Sequence, residues 1–105
     1  MTELPPPPSA YRRFTTRFPH LEESWEHMAM AGKAGPLDER TQRLIKLGIA
    51  IGALREGSVH SSVRKAVAMG IEGEALEQVV ALAASTIGMP ASVAAFQWVR
   101  DVLDD

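Results

Sequence analysis

The apolar run Leu47–Leu54 constrains the fold of this chain more than any other stretch. It contains no charged residue and lies between Lys46 and Arg55. A helix that is apolar all round is normally buried all round, so we expect this segment at the centre of the protein. Gly48 and Gly52 are four residues apart and share one helix face, which predicts the close approach of another backbone.

Helical periodicity runs through the rest of the sequence. Apolar residues recur at intervals of three and four, and no stretch alternates as a strand does, which predicts an all-α protein. Aromatic residues are few (two Trp, one Tyr and three Phe), so aliphatic residues and Met must fill the core. Capping and helix-breaking residues predict a compact bundle of about six helices. These residues are Ser9, Pro19, Asp38, Gly57, Gly70, Glu72 or Gly73, Gly88 and Pro90.

Two predicted helices carry apolar stripes that can be assigned from their spacing. The second helix has one inner stripe, formed by Leu21, Trp25, Met28 and Gly32. The last helix has two stripes, Val93, Phe96, Val99 and Leu103 against Ala91, Ala94, Ala95, Trp98 and Val102. One stripe suffices for the core of a chain of 105 residues, so the second predicts a subunit interface and a homo-oligomer.

The domain organisation is simple. Residues 1–8 end in four consecutive prolines, which is typical of an extended polyproline II arm. We interpret this segment as a tail on the surface, with a docking motif as the alternative. Residues 9–105 then form one helical domain, near the lower size limit for a chain that buries its own core.

Charge and composition exclude several classes of function. The net charge is −2 with acids and bases interspersed, so no basic face for nucleic acid is expected. No apolar run approaches the roughly 20 residues of a membrane span, and prolines occupy the place of a signal sequence, so we expect a cytoplasmic protein. The absence of cysteine excludes disulfides and thiol chemistry. The three histidines are too scattered for a metal motif, so we expect no metal.

The candidate site lies where the long apolar helix meets the next one. Ser58 and Ser62 share one stripe near the start of that next helix, where free N–H groups favour an anion, and Arg43 and Arg55 add positive charge. His60 shares another stripe with a glutamate and an arginine. Each pattern has a structural alternative. In that alternative, the stripe that contains His60 is a solvated helix face, and the two serines are small polar residues without a function. Arg43 then forms an i,i+4 pair with Glu39.

Four motifs occur in a fixed order between Leu37 and Phe96. LD-x-x-T opens the long apolar helix, and VRKA-x-x-x-G follows a short polar hinge. An acidic cap then leads into a helix of Val, Leu and Ala, and G-x-PA-x-x-x-A opens the last helix. In order and spacing, the chain resembles the carboxymuconolactone decarboxylase family, which includes alkylhydroperoxidase D-like proteins, over about residues 15–103. The resemblance implies the alkylhydroperoxidase D-like fold and a trimer or hexamer.

Redox members of this family use a glutamate, a C-x-x-C pair and a histidine. The resemblance implies that these positions correspond to Arg43, to Arg55 with Ser58, and to Ser62. All of them depart from the family pattern, so thiol peroxidase activity is not expected. The decarboxylase branch also lacks the cysteines and implies a histidine at or near Ser62. This chain has His60 instead. Two residues correspond to about 200° around a regular helix, so His60 can replace a histidine at position 62 only if the first turn is distorted.

Two functions follow from these observations. In the first, a small pocket at the joint acts on or binds a small carboxylate or lactone. His60 is then the proton-transfer group, and Arg43 or Arg55 orients the anion. If this protein is an enzyme, the resemblance implies a lyase of the carboxymuconolactone decarboxylase type. The second function is that of a catalytically silent, oligomeric binding or assembly protein on the same scaffold. Neither function requires a cofactor.

Overall fold

The structure is a computed structural model that describes residues 9–105. Within that range six helices follow one another and no strand occurs, which confirms the predicted all-α bundle. The helices are α1 Ser9–Arg17, α2 Pro19–Lys33, α3 Glu39–Gly52, α4 Glu56–Ala68, α5 Gly73–Ile87 and α6 Met89–Leu103. None of these described helices is long and apolar enough to cross a membrane. The tail predicted for residues 1–8 lies outside the described residues.

Local chemistry accounts for the helix boundaries. Asp38 precedes α3, and its Oδ1 atom accepts a hydrogen bond of 2.7 Å from the backbone N–H of Thr41. This bond satisfies one of the free donors of the first turn and lowers the pKa of Asp38. Gly70 follows α4 with φ of 82°, a left-handed conformation that costs glycine little. Both caps are as the sequence predicted.

Helices α1 and α2 form one compact unit. The rings of Phe14 and Phe18 lie 5.4 Å apart, and the guanidinium of Arg17 lies 4.6 Å from the centre of the Phe18 ring. The inner stripe predicted for α2 is wrong for the described residues, because this helix buries no residue and Trp25 is 54% exposed. The spacing identified an apolar face but not what covers it.

Helices α3 to α6 form the second unit, residues 38–105, which contains the hydrophobic core. Helix α4 packs against α3 and α6, and α5 packs against the same two helices. The core is therefore enclosed by four helices in a closed cycle. Its buried residues are Leu47, Ala50, Ile51, Val59, Val63, Ala66, Ile71, Leu76, Val80, Ala95 and Val99.

The prediction that the apolar segment of helix α3 is buried on every side is wrong. Leu47, Ala50 and Ile51 are buried, whereas Ile49 is 65% exposed. The predicted close approach at the two glycines is also absent from the described residues. A Cβ on Gly48 would lie 3.6 Å from Val79 Cγ1, an ordinary contact, and a Cβ on Gly52 would meet nothing within 4 Å. The described chain thus covers only one face of this apolar helix.

Helix α6 buries a different face from either predicted stripe. Its buried residues are Ser92, Ala95 and Val99, which follow helical spacing and take one member from each stripe. Val93 is 61% exposed, and Met89 and Phe96 are exposed beside it. The assignment of whole stripes was wrong because both stripes border the buried face. The prediction that α6 carries apolar surface beyond the core of this unit is confirmed.

Two valines of α4 provide a direct test of this packing. Val63 is fully buried and Val67 is 46% exposed, one turn further along the same helix. We expect Val63→Ala to lower the free energy of unfolding by roughly 1.5–3 kcal/mol, through lost burial and the cavity left behind. Val67→Ala should change it by less than about 0.5 kcal/mol. Urea unfolding measures both, and equal losses would contradict the described core.

Candidate functional site

The joint between α3 and α4 is a tight helix end rather than a loop. The N–H of Arg55 donates to the carbonyl of Ala50, and the N–H of Leu54 donates to that of Ile51, both at 3.0 Å. Leu54 adopts φ of 55°, although left-handed backbone is disfavoured for a side chain of its size. Gly70 uses the same arrangement without that cost. The joint therefore leads directly from α3 into α4, and the two helices pack against each other.

Arg43 on α3 and Ser62 on α4 are brought together by this packing. Arg43 Nη1 lies 3.5 Å from the Ser62 hydroxyl oxygen, a long contact to a buried serine. The Nε atom of Arg43 is enclosed and has no hydrogen-bond partner among the described residues. Burial lowers the pKa of Arg43, and the guanidinium still remains charged at neutral pH because its pKa starts far above neutrality. No carboxylate of the described chain forms an ion pair with this guanidinium.

His60 lies on the other flank of α4, against α6. Its Nε2 atom is 3.0 Å from Oδ2 of Asp101, and because a carboxylate only accepts, the shared proton belongs to the ring. Gln97 donates a hydrogen bond of 2.9 Å to the second oxygen, Oδ1, of the same carboxylate. These bonds, first from Gln97 and then from His60, lower the pKa of Asp101. His60 therefore has a fixed partner.

Sequence reasoning did not single out Asp101. It follows His60 by 41 residues, and no local spacing connects the two. Only the packing of α6 on α4 brings them together, and a sequence pattern does not contain that information. The two groups line a recess of about 170 Å³ together with Arg64, Val102 and Asp105.

The predicted site residues thus divide into three groups. Arg43 and Ser62 meet between α3 and α4, whereas His60 contacts α6. Arg55 is the N-cap residue of α4 and Ser58 lies in its first turn, and both are exposed. Neither the recess beside His60 nor the groove between α3 and α5 is lined by Arg43 or Ser58. His60 of α4 thus faces α6, whereas Ser62 of the same helix contacts the partly buried Arg43 of α3.

A larger groove of about 830 Å³ runs between α3 and α5. One end is formed by Arg40 and Glu72, whose side chains make two hydrogen bonds of 2.7 and 3.3 Å. This ion pair lowers the pKa of Glu72, and the carboxylate of Glu72 compensates the positive charge of Arg40. The apolar walls of the groove are formed by Leu44, Ile45, Gly48, Gly52, Ala75, Val79, Leu82, Ala83 and Ile87. No sequence signal pointed to this groove, because its walls come from two helices separated by α4.

The fold and the site define an all-α protein that has a polar pair, Arg43 and Ser62, between α3 and α4. The chain has no cysteine for thiol chemistry. The model of the carboxymuconolactone decarboxylase family matches residues 19–101, from the start of α2 into the last turn of α6. This match covers most of the chain, and the protein belongs to that family. No curated protein and no solved structure matches the chain. The resemblance identified from the sequence is therefore confirmed at the level of the family.

The hydrogen bond from Gln97 to Asp101 predicts a measurable change in titration. We expect Gln97→Ala to raise the pKa of Asp101 towards its ordinary value, because the largest cause of the lowered pKa is then removed. NMR titration of the Asp101 carboxyl carbon measures this shift, and Gln78→Ala on α5 is the control that should leave it unchanged.

The same bond should make stability depend on pH in a defined direction. Because the pKa of Asp101 is lower in the folded state, its contribution is fully present above the unfolded value of about 3.9 and is lost as pH falls through the folded value. The difference in stability between wild type and Gln97→Ala should therefore shrink in acid. A difference that persists unchanged below both pKa values would contradict this origin.

Proposed function

We propose that this member of the carboxymuconolactone decarboxylase family binds, or acts on, a small carboxylate or its lactone beside Arg43. The observation that carries this proposal is the guanidinium of Arg43, which is partly buried next to Ser62 and has no carboxylate partner among the described residues. A desolvated charge without a counter-charge is costly, so an anion from outside the chain is favoured at this place.

The donors of Arg43 suit a carboxylate. A guanidinium presents five N–H donors in a planar fork, and the 3.5 Å contact with Ser62 uses one of them weakly. A carboxylate accepts two parallel hydrogen bonds from such a fork, which gives orientation as well as affinity. The buried hydroxyl of Ser62 can donate to the same anion or to the carbonyl of a lactone.

The surrounding charge supports the same ligand class. Ser58 lies one turn before Ser62 on the same stripe of α4, and Arg55 is the N-cap residue of that helix. The N-terminus of a helix carries the positive end of its dipole and free N–H groups. Arg43 also occupies the position that the resemblance assigns to a glutamate in redox relatives. That reversal of charge favours recognition of an anion over proton transfer to a thiol.

The structure gives one specific reason to keep a catalytically silent binding protein as the second candidate. His60 is engaged by Asp101 on the α6 side of α4, whereas Arg43 lies on the α3 side. A proton-transfer group must reach the atom on which it acts, within hydrogen-bond distance or through one water. The role of His60 as an acid or base for a ligand at Arg43 stays a prediction, and binding alone requires only Arg43 and its neighbours.

We also propose that the chain assembles into a homo-oligomer, a trimer or hexamer. Support comes from the apolar groove between α3 and α5 and from the exposed Met89, Val93 and Phe96 of α6. Leu82 on the rim of the groove is 71% exposed. Apolar surface of this extent is typical of subunit interfaces.

The carboxylate site can be tested with a matched pair of arginines on α3. Arg43→Gln should weaken binding of a small carboxylate at least tenfold, because the charge-assisted hydrogen bonds are lost. Arg40→Gln should leave it unchanged, since Arg40 is already neutralised by Glu72. A panel of mono- and dicarboxylates and their lactones, titrated by isothermal calorimetry and protein-observed NMR, measures both. Binding that survives Arg43→Gln would reject this site.

The assembly can be tested by placing a charge in the groove. Light scattering should give a multiple of the 11.4 kDa chain mass for the wild type, and Leu82→Glu should shift it to the monomer. Val67→Glu, at an exposed apolar position of α4 outside the groove, is the control that should retain the assembly. A wild type that is monomeric at micromolar concentration would contradict the proposal.

A further inference from the structure

The second unit contains a cluster of metal-ligating side chains that the proposed carboxylate site does not use. Glu56, His60 and Asp101 each offer one ligand atom, and these atoms all lie within 4.8 Å of one another. Two of the side chains come from α4 and the third comes from α6. We propose that Glu56, His60 and Asp101 form a binding site for a divalent transition-metal ion, with Zn²⁺ as the ion to test.

The spacing on α4 suits chelation. Glu56 and His60 are four residues apart, so their side chains project from the same face of the helix one turn apart. Two ligands at this spacing are a common way for a helix to hold zinc. Glu56 occupies the first turn of α4 and is exposed, so its side chain is free to rotate towards His60.

The distance between the other two ligand atoms also fits a metal shell. His60 Nε2 and Asp101 Oδ2 lie 3.0 Å apart. When bonds to a metal are about 2.1 Å long, neighbouring ligand atoms lie roughly 3.0–3.4 Å apart. The ion therefore takes the place of the proton between these two atoms. The neutral imidazole then carries its proton on Nδ1, and the carboxylate stays ionised.

Asp101 is held in the orientation that such a site needs. Gln97 donates a hydrogen bond to Oδ1, which leaves Oδ2 directed at His60. Outer partners of this kind fix metal-binding carboxylates and strengthen binding. The side chain of His60 is only 24% exposed, so its ring is also restrained by packing. Two of the three ligands are thus already positioned without the ion.

The charged groups around the recess favour binding of a doubly charged cation with moderate affinity. The two carboxylates of the cluster supply two negative charges, and Asp105 lines the same recess. Arg64 also lines the recess and opposes a cation. One imidazole with two carboxylates suits zinc better than magnesium or calcium, which prefer oxygen ligands alone. Three protein ligands leave room for water on the exposed side.

The experiment uses the tag-free chain of 105 residues, stripped with a chelator and titrated with ZnCl₂ against a chromophoric competitor. We expect one Zn²⁺ per chain with a micromolar Kd. His60→Ala and Asp101→Asn should each weaken binding at least tenfold, and Arg64→Gln should tighten it because a repelling charge is removed. His27→Ala on α2 removes an exposed histidine outside the site and should leave the Kd unchanged.

A second readout keeps the proposal testable if a variant unfolds. Long-range ¹H–¹⁵N spectra of the wild-type imidazoles should show the His60 resonances shifting with one equivalent of Zn²⁺, while those of His20 and His27 do not. The proposal is overturned if no ion binds at one equivalent, if His60→Ala binds as the wild type does, or if the His27 resonances shift instead. Arg43→Gln should bind Zn²⁺ normally, which separates this site from the carboxylate site.

Discussion

The burial of one face of α4 is the constraint on which the second unit depends. Val59, Val63 and Ala66 are fully buried there, between α3 on one side and α6 on the other. Close packing of small aliphatic side chains lets all three helices approach, and each lost methyl group removes burial that nothing else replaces. Helix α5 completes the cycle through Leu76 and Val80.

The buried face also decides where the polar chemistry lies. The flanks of α4 are the only parts of that helix from which a polar side chain can reach a neighbouring helix without entering the apolar core. Ser62 lies on the flank facing α3 and contacts Arg43, whereas His60 lies on the flank facing α6 and contacts Asp101. Residues two apart project in nearly opposite directions, so one helix separates two polar clusters. The proposed anion site and the proposed cation site therefore lie on different flanks of α4.

Local sequence chemistry predicted the elements well and their partners poorly. Asp38 and Gly70 were identified correctly, because a cap and a left-handed turn depend on a few neighbouring residues. Trp25 and Ile49 were expected inside and are exposed, because periodicity identifies an apolar face without identifying what covers it. Asp101 was missed for the same reason, since its contact with His60 depends on how α6 packs.

The family match and the altered site are compatible because the fold and the chemistry rest on different residues. The core side chains Leu47, Ile51 and Leu76 are apolar and fully buried, and none of them is among the polar positions that depart from the family pattern. Between α3 and α4, the positions that the resemblance assigns to an acid and a histidine hold Arg43 and Ser62, and these two side chains contact each other. A pair suited to moving a proton is thereby replaced by a fixed cation beside a hydroxyl. Such a pair cannot cycle between protonation states near neutral pH, because the guanidinium stays charged, but it can hold an anion in a defined orientation.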